Sequence, residues 1–411
     1  MRVSTTLFSL CWFLLLAGCS DIFSQKPAVT VGAHVLLDDH LSELQNKRVG
    51  LVMNPTARVE SSHMVDTLLI HDINITALFA PEHGFRGDVG AGETIEDGVD
   101  QSTGLPVYSL YGQTRTPTPE MLKKVDILLL DIQDVGARFY TYNATLGNII
   151  EAASAENIPV WILDRPNPAG GELISGWMMQ PEHQSFVGQY PIPMVHGMTL
   201  GELAEMMVGE GWIENADSTD IRVIPMKGWN RSMKWPDTGL EWIPPSPNLP
   251  TFYHAYVYLG TVLFEGTNLS EGRGTNDPFL RVGSPSTKLT TSHIAQLRRQ
   301  FSGVNIERRS FTATSMPGKA PNPKHQDKRS HGVAIQVTNP NAFNPVELGV
   351  ELLSTMMDAT HNAELNDFIQ KLSGINRDSL LQQIQNQSYQ KSWEKTTSSF
   401  HKQRQQYLIY D

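Results

Sequence analysis

Val125-Asp126-Ile127-Leu128-Leu129-Leu130-Asp131-Ile132-Gln133-Asp134 is the stretch that decides the fold. Its first six residues are almost continuously apolar, which describes a strand buried on both faces, and its end is abruptly polar. The pattern repeats on either side. Ile158-Pro159-Val160-Trp161-Ile162-Leu163 is closed by Asp164-Arg165-Pro166-Asn167-Pro168, and Ile75-Thr76-Ala77-Leu78-Phe79 is followed by Pro81-Glu82-His83-Gly84. A first strand, Lys47 to Met53, ends in the turn signal Asn54-Pro55. Between these runs lie helical patterns from Ser61 to His71 and from Thr145 to Glu156. Strands alternating with helices give an α/β protein with a mostly parallel sheet. Ligands of such sheets bind outside the carboxyl ends of the strands, so the three polar clusters are expected to converge on one cleft.

Further along, the composition shifts to Pro and Trp through Pro244-Pro245-Ser246-Pro247-Asn248-Leu249-Pro250, which marks a domain junction. Residues 46–255 form the sheet domain, and residues 256–411, opening with a Gly-rich polar loop, form a smaller α+β auxiliary domain. Trp229, Trp235 and Trp242 fit core or domain packing better than sugar platforms. At the other end, Arg2 precedes the apolar run Leu7 to Leu16, too short to span a bilayer as a stable helix. Residues 1–19 therefore read as an export signal ending in Leu16-Ala17-Gly18-Cys19, which resembles a bacterial lipobox with Cys19 as the lipid anchor. Residues 20–45 follow as a polar spacer. The expected location is exported and lipid-anchored in the periplasm. Ser20, rather than an acid, follows the cysteine, which favours the outer membrane where a cell has one.

The chain has two cysteines, and Cys11 lies in the segment that export removes, so no disulfide is expected and the core alone must hold the mature protein. A formal charge of −11 argues against nucleic acid, whose binding needs a basic surface that releases counterions. The turn after the first strand, Asn54-Pro55-Thr56-Ala57-Arg58, lacks the glycines that let a pyrophosphate approach a helix. No Walker A, G-x-S-x-G or H-E-x-x-H sequence occurs, and the histidines do not fall at metal-ligand spacing. No cofactor and no metal are expected. The remaining chemistry is carboxylates, amides, arginines and aromatics at strand ends. These suit acid and base work on a glycosidic bond and stacking on sugar faces, in an enzyme or in a sugar-binding module.

Four longer stretches narrow this reading. They are Ala80 to Gly87 (APEHGFRG), Asp131 to Tyr142 (DIQDVGARFYTY), Asp164 to Pro168 (DRPNP) and Phe264 to Thr275 (FEGTNLSEGRGT). In this order they resemble the exo-β-N-acetylmuramidase family typified by NamZ, glycoside hydrolase family 171. The similarity runs from about residue 30 to the end of the chain. It implies a Rossmann-like catalytic domain, an auxiliary domain, an active site between them, and release of N-acetylmuramic acid from non-reducing ends of peptidoglycan fragments. The competing expectation is a lipid-anchored muropeptide-binding protein without turnover.

Glu82 matches the family's glutamate, and a partly buried carboxyl after an apolar strand suits a general acid. Asp131 and Asp134 are candidates for the second carboxylate, although an Asp–Arg pair pinning the strand end explains Asp131 equally well. Arg86 and Arg138 are candidates for the lactyl carboxylate that distinguishes muramic acid from glucosamine, since guanidinium binds carboxylate in bidentate fashion. His83, Tyr140, Asp164, Asn167 and His196 are candidate substrate contacts on the sheet domain. Glu265, Asn268, Glu271 and Arg273 are candidates on the auxiliary-domain loop.

Overall fold

The computed structural model describes residues 28–86, 96–217 and 220–411. The signal segment and Cys19 lie outside the described residues. Seven strands form the main sheet: β1 (Val49–Met53), β2 (Ile75–Ala80), β3 (Gly98–Val99), β4 (Pro106–Ser109), β5 (Ile127–Asp131), β6 (Val160–Leu163) and β7 (Ile221–Ile224). Their order is β7-β6-β5-β1-β2-β4-β3, parallel throughout except for the edge pair β3 and β4. From β1 the chain runs first to one side and then, from β5, to the other. The crevice at this reversal is where such sheets bind ligands.

Alternation along the strands decides which elements cover which face. Val52, Leu128, Leu130 and Ile162 pack with Leu146 and Ile149 of the helix Tyr142–Ala155 and Leu203 of the helix Leu200–Gly209. Leu51, Leu129 and Leu163 face the other way, against Met64 and Leu68 of the helix Met64–Ile70. Residues 28–45 correct the expectation of a polar spacer running to residue 45. Short helical turns place Val31, Ala33, Val35, Leu36 and Leu44 on that second face, fully buried. They share that face with the helix Met64–Ile70. The approach is close: Gly32 N donates to Asp164 O at 2.9 Å, and a Cβ there would lie 2.4 Å from Asp164 N.

The smaller part carries an antiparallel sheet, Arg281–Ser284, Arg329–Val337 and Val304–Thr312 in that spatial order. Its helix Pro345–Ala359 crosses the helix Phe252–Thr261 where Gly349 meets Gly260, so tightly that a Cβ on Gly349 would be 2.3 Å from the Gly260 carbonyl carbon. That contact fixes the segment Val262–Gly266, which follows directly and carries Glu265. One hydrophobic cluster runs through both parts, from Val52 to Phe400. Trp229 and Trp235 are buried, and Trp235 meets Trp242 edge-on at 5.1 Å, so these rings pack the interior.

Candidate active site

Strand β2 ends at Ala80, and the following turn projects Glu82. His83 at φ 73° and Gly84 at φ 82° both adopt left-handed backbone, and Gly84 N donates to Pro81 O at 3.0 Å. A histidine held there costs of order 1 kcal/mol, a strain often found at functional sites. Glu82 is half-buried, and Thr141 Oγ1 donates to its Oε2 at 2.7 Å. The Tyr142 hydroxyl shares its one hydrogen between Pro245 O at 2.9 Å and the Glu82 carbonyl at 3.2 Å, anchoring the turn from beneath. Tyr111 also bonds the Glu82 carboxylate. Burial pushes the Tyr111 hydroxyl up to about 12, and the Glu82 charge and this bond add to the shift.

The carboxyl group opens into a cavity of about 500 Å³. One wall comes from the sheet domain, through Glu82, His83, Tyr111, Phe139, Tyr140 and Thr141. The other comes from the smaller domain, through Tyr258, Glu265, Glu271, Arg273, Lys319 and Lys324. Tyr258 meets Phe139 edge-on at 5.4 Å and Phe279 at 4.7 Å, so the aromatic floor is continuous across the boundary. Arg273 donates to Glu265 Oε1 from Nη2 at 2.6 Å and from Nε at 3.0 Å, and lies 3.8 Å from Glu271. Lys324 Nζ sits 3.0 Å from Glu271 and donates to Phe264 O at 2.6 Å and Leu269 O at 3.1 Å.

Of the residues singled out in the sequence, Glu82, His83, Tyr140, Glu265, Glu271 and Arg273 line this cavity together. The others do not, and the three polar clusters do not all converge. Asp131 is fully buried in an ion pair with Arg165, with Nη2 at 3.0 Å from Oδ2 and Nε closer still to Oδ1. Asp134 lies beneath the site. Its Oδ2 accepts Gly136 N at 2.7 Å, and burial pushes the carboxyl up to about 7. Asp164, which burial raises to about 6, accepts Thr199 Oγ1 at 2.7 Å, Gly201 N at 2.9 Å and the Tyr410 hydroxyl at 2.6 Å. It thus caps the helix Leu200–Gly209 rather than facing a ligand. Asn167 bonds Met198 O and Ala169 N, each at 3.0 Å. His196 is fully buried, which lowers its imidazole to about 3, and accepts Met198 N at 3.2 Å.

Neither proposed reader of the lactyl carboxylate reaches the cavity. Arg86 is committed to Asp100 at 2.7 Å and Asp66 at 3.2 Å. Arg138 is fully buried, and burial lowers its guanidinium to about 9. It donates to Trp177 O at 2.7 Å, Ile192 O at 2.9 Å and Leu372 O at 2.8 Å, joining the two domains. Asn268 is exposed outside the cavity, where it ties Asn362 O at 2.7 Å and Glu364 N at 3.0 Å. Sequence reasoning passed over Thr141, Tyr111, Lys319 and Lys324. Thr141 lay inside a quoted motif, whereas nothing local marks the two lysines. Among the described residues no group of three or more His, Cys, Asp or Glu is placed to hold a metal ion.

The family model described as the N-terminal part of exo-beta-N-acetylmuramidase NamZ matches residues 49–253, and that for the C-terminal part matches residues 256–410. The peptidoglycan beta-N-acetylmuramidase NamZ of Bacillus subtilis (strain 168) is 44% identical over 404 residues, covering 94% of this chain and 92% of the relative. Two crystal structures of DUF1343 family proteins from Bacteroides fragilis NCTC 9343 are similar throughout. One has a TM-score of 0.84 at 32% identity, covering 94% of this chain and 100% of the other. The second has a TM-score of 0.77 at 34% identity, covering 93% and 99%.

Proposed function

From the premise that this chain belongs to the exo-β-N-acetylmuramidase NamZ family, we propose that it releases N-acetylmuramic acid from the non-reducing ends of peptidoglycan-derived glycans, with Glu82 as general acid. The observation that carries the assignment is the placement of Glu82, held by Thr141 at 2.7 Å at the mouth of a strand-end turn and facing a cavity of sugar size. A carboxyl group fixed beside the leaving oxygen delivers its proton in the transition state. The second carboxylate of a glycosidase pair falls to Glu265 or Glu271 on the opposite wall, because Asp131 and Asp134 do not line the cavity. The aromatic floor suits the apolar face of a pyranose ring.

Incubation of the purified protein with a chromogenic N-acetylmuraminide is expected to release both chromophore and free N-acetylmuramic acid. Binding of the muraminide without release would instead make the protein a muropeptide-binding module. We also carry forward the lipid anchor at Cys19. Cells making a Cys19→Ala variant should show the protein in the soluble rather than the membrane fraction, with sugar release intact. Equal membrane retention of both forms would remove the anchor.

A further inference from the structure

We propose that Lys319 is the residue that recognises the lactyl carboxylate of the muramyl unit. The inference deepens the muramidase reading and rests on it. The cavity lining carries three carboxylates, Glu82, Glu265 and Glu271, and three cations, Arg273, Lys319 and Lys324. Arg273 is spent on Glu265, to which it donates from two nitrogens, with Glu271 3.8 Å away. Lys324 is spent as well, because its ammonium donates to Phe264 O, Leu269 O and Glu265 O at 2.6, 3.1 and 3.4 Å and has Glu271 as a counter-ion at 3.0 Å. Lys319 is exposed and makes no ion pair among the described residues. When Glu82 carries the proton that a general acid must carry, the lining holds one cation in excess. A substrate bearing a single carboxylate balances it.

The backbone around Lys319 is built to hold it at the rim. Lys319 N donates to Met316 O at 3.0 Å across a tight turn with Gly318 at φ 72°, and Ala320 pairs back to Met316. Asn248, from the proline-rich junction of the sheet domain, donates to Lys319 O at 2.8 Å. The turn therefore belongs to the smaller domain but is fastened to the larger one, beside the wall that carries Glu82. An ammonium on such a turn meets an anion arriving from solvent. A flexible single-point donor of this kind reads charge rather than the planar geometry that arginine would impose.

Equilibrium binding tests this separately from turnover. Calorimetric titration of the parent protein should show N-acetylmuramic acid binding more tightly than its lactyl methyl ester, in which one added methyl group removes the charge. In Lys319→Gln the dissociation constant of the acid should rise about 2–5-fold, the worth of one solvent-exposed charge pair, and the difference between acid and ester should nearly vanish. Lys319→Arg should restore most of the difference. An acid-to-ester difference that survives in Lys319→Gln, or that disappears in Arg273→Met but not in Lys319→Gln, overturns the assignment. Absence of sugar release with this binding pattern intact would count against the muramidase reading alone.

Discussion

Glu82→Gln is expected to lower kcat by about 10²–10⁴-fold on a glycan with a poor leaving group, because the amide keeps the shape of the side chain but cannot supply the proton. KM should change little, the signature of an interaction made only in the transition state. Thr141 donates to Oε2 in the parent, and the amide oxygen of glutamine accepts the same bond, so folding should be unaffected. An aryl muraminide, whose leaving oxygen is already a weak base, should lose much less. Rate measurements on both substrates and a melting curve from one preparation decide the matter. Equal losses on the two substrates, or a large drop in melting temperature, would transfer the acid role to Glu265 or Glu271.

Asp131→Ala is expected to act on stability instead, at a cost of about 3–5 kcal/mol, since it leaves the Arg165 guanidinium buried without its counter-ion. The side chain is fully buried, and its partner is 8% exposed, so water does little to replace it. The midpoint of urea unfolding should fall while the slope holds, and the molecules that remain folded should keep their kcat. A variant with normal stability and no turnover would show that Asp131 belongs to the chemistry after all.

The contrast between these two carboxylates shows what was legible in the sequence. Fully apolar runs declared β5 and β6, because a strand covered on both faces has no polar position to disguise it. The turn at Pro81 to Gly84 was legible for the same reason, as polar residues directly after such a run must leave the sheet. Which strand-end carboxylates would face a ligand was not legible. Asp131 is claimed by Arg165, 34 residues on, and Asp164 by Tyr410, 246 residues on. Arg138 is likewise claimed by Leu372 O, 234 residues away. Local pattern carries no information about such partners. The segment 28–45 was misread for a related reason. Its apolar residues are too few to announce an element, yet each fills a place on a face that the helix Met64–Ile70 covers only in part. Tyr111 and Lys319 sit on turns whose sequences name a bend but not the wall that the bend adorns.

The return of the chain's last residues to the sheet domain affects how the molecule assembles. Tyr410 reaches Asp164, Arg404 donates to Gly171 O and Gly197 O at 3.0 Å and 2.7 Å, and Arg231 N bonds Asp411 O at 2.8 Å. As the chain leaves the ribosome, the strands of the first half emerge long before the residues that bind Asp164, Gly171, Gly197 and Arg231. Contacts spanning such sequence separations slow the conformational search and leave partly covered apolar surface during it. The sequence divides in two near residue 255, but the sheet domain's set of contacts is complete only with residues 404–411 in place.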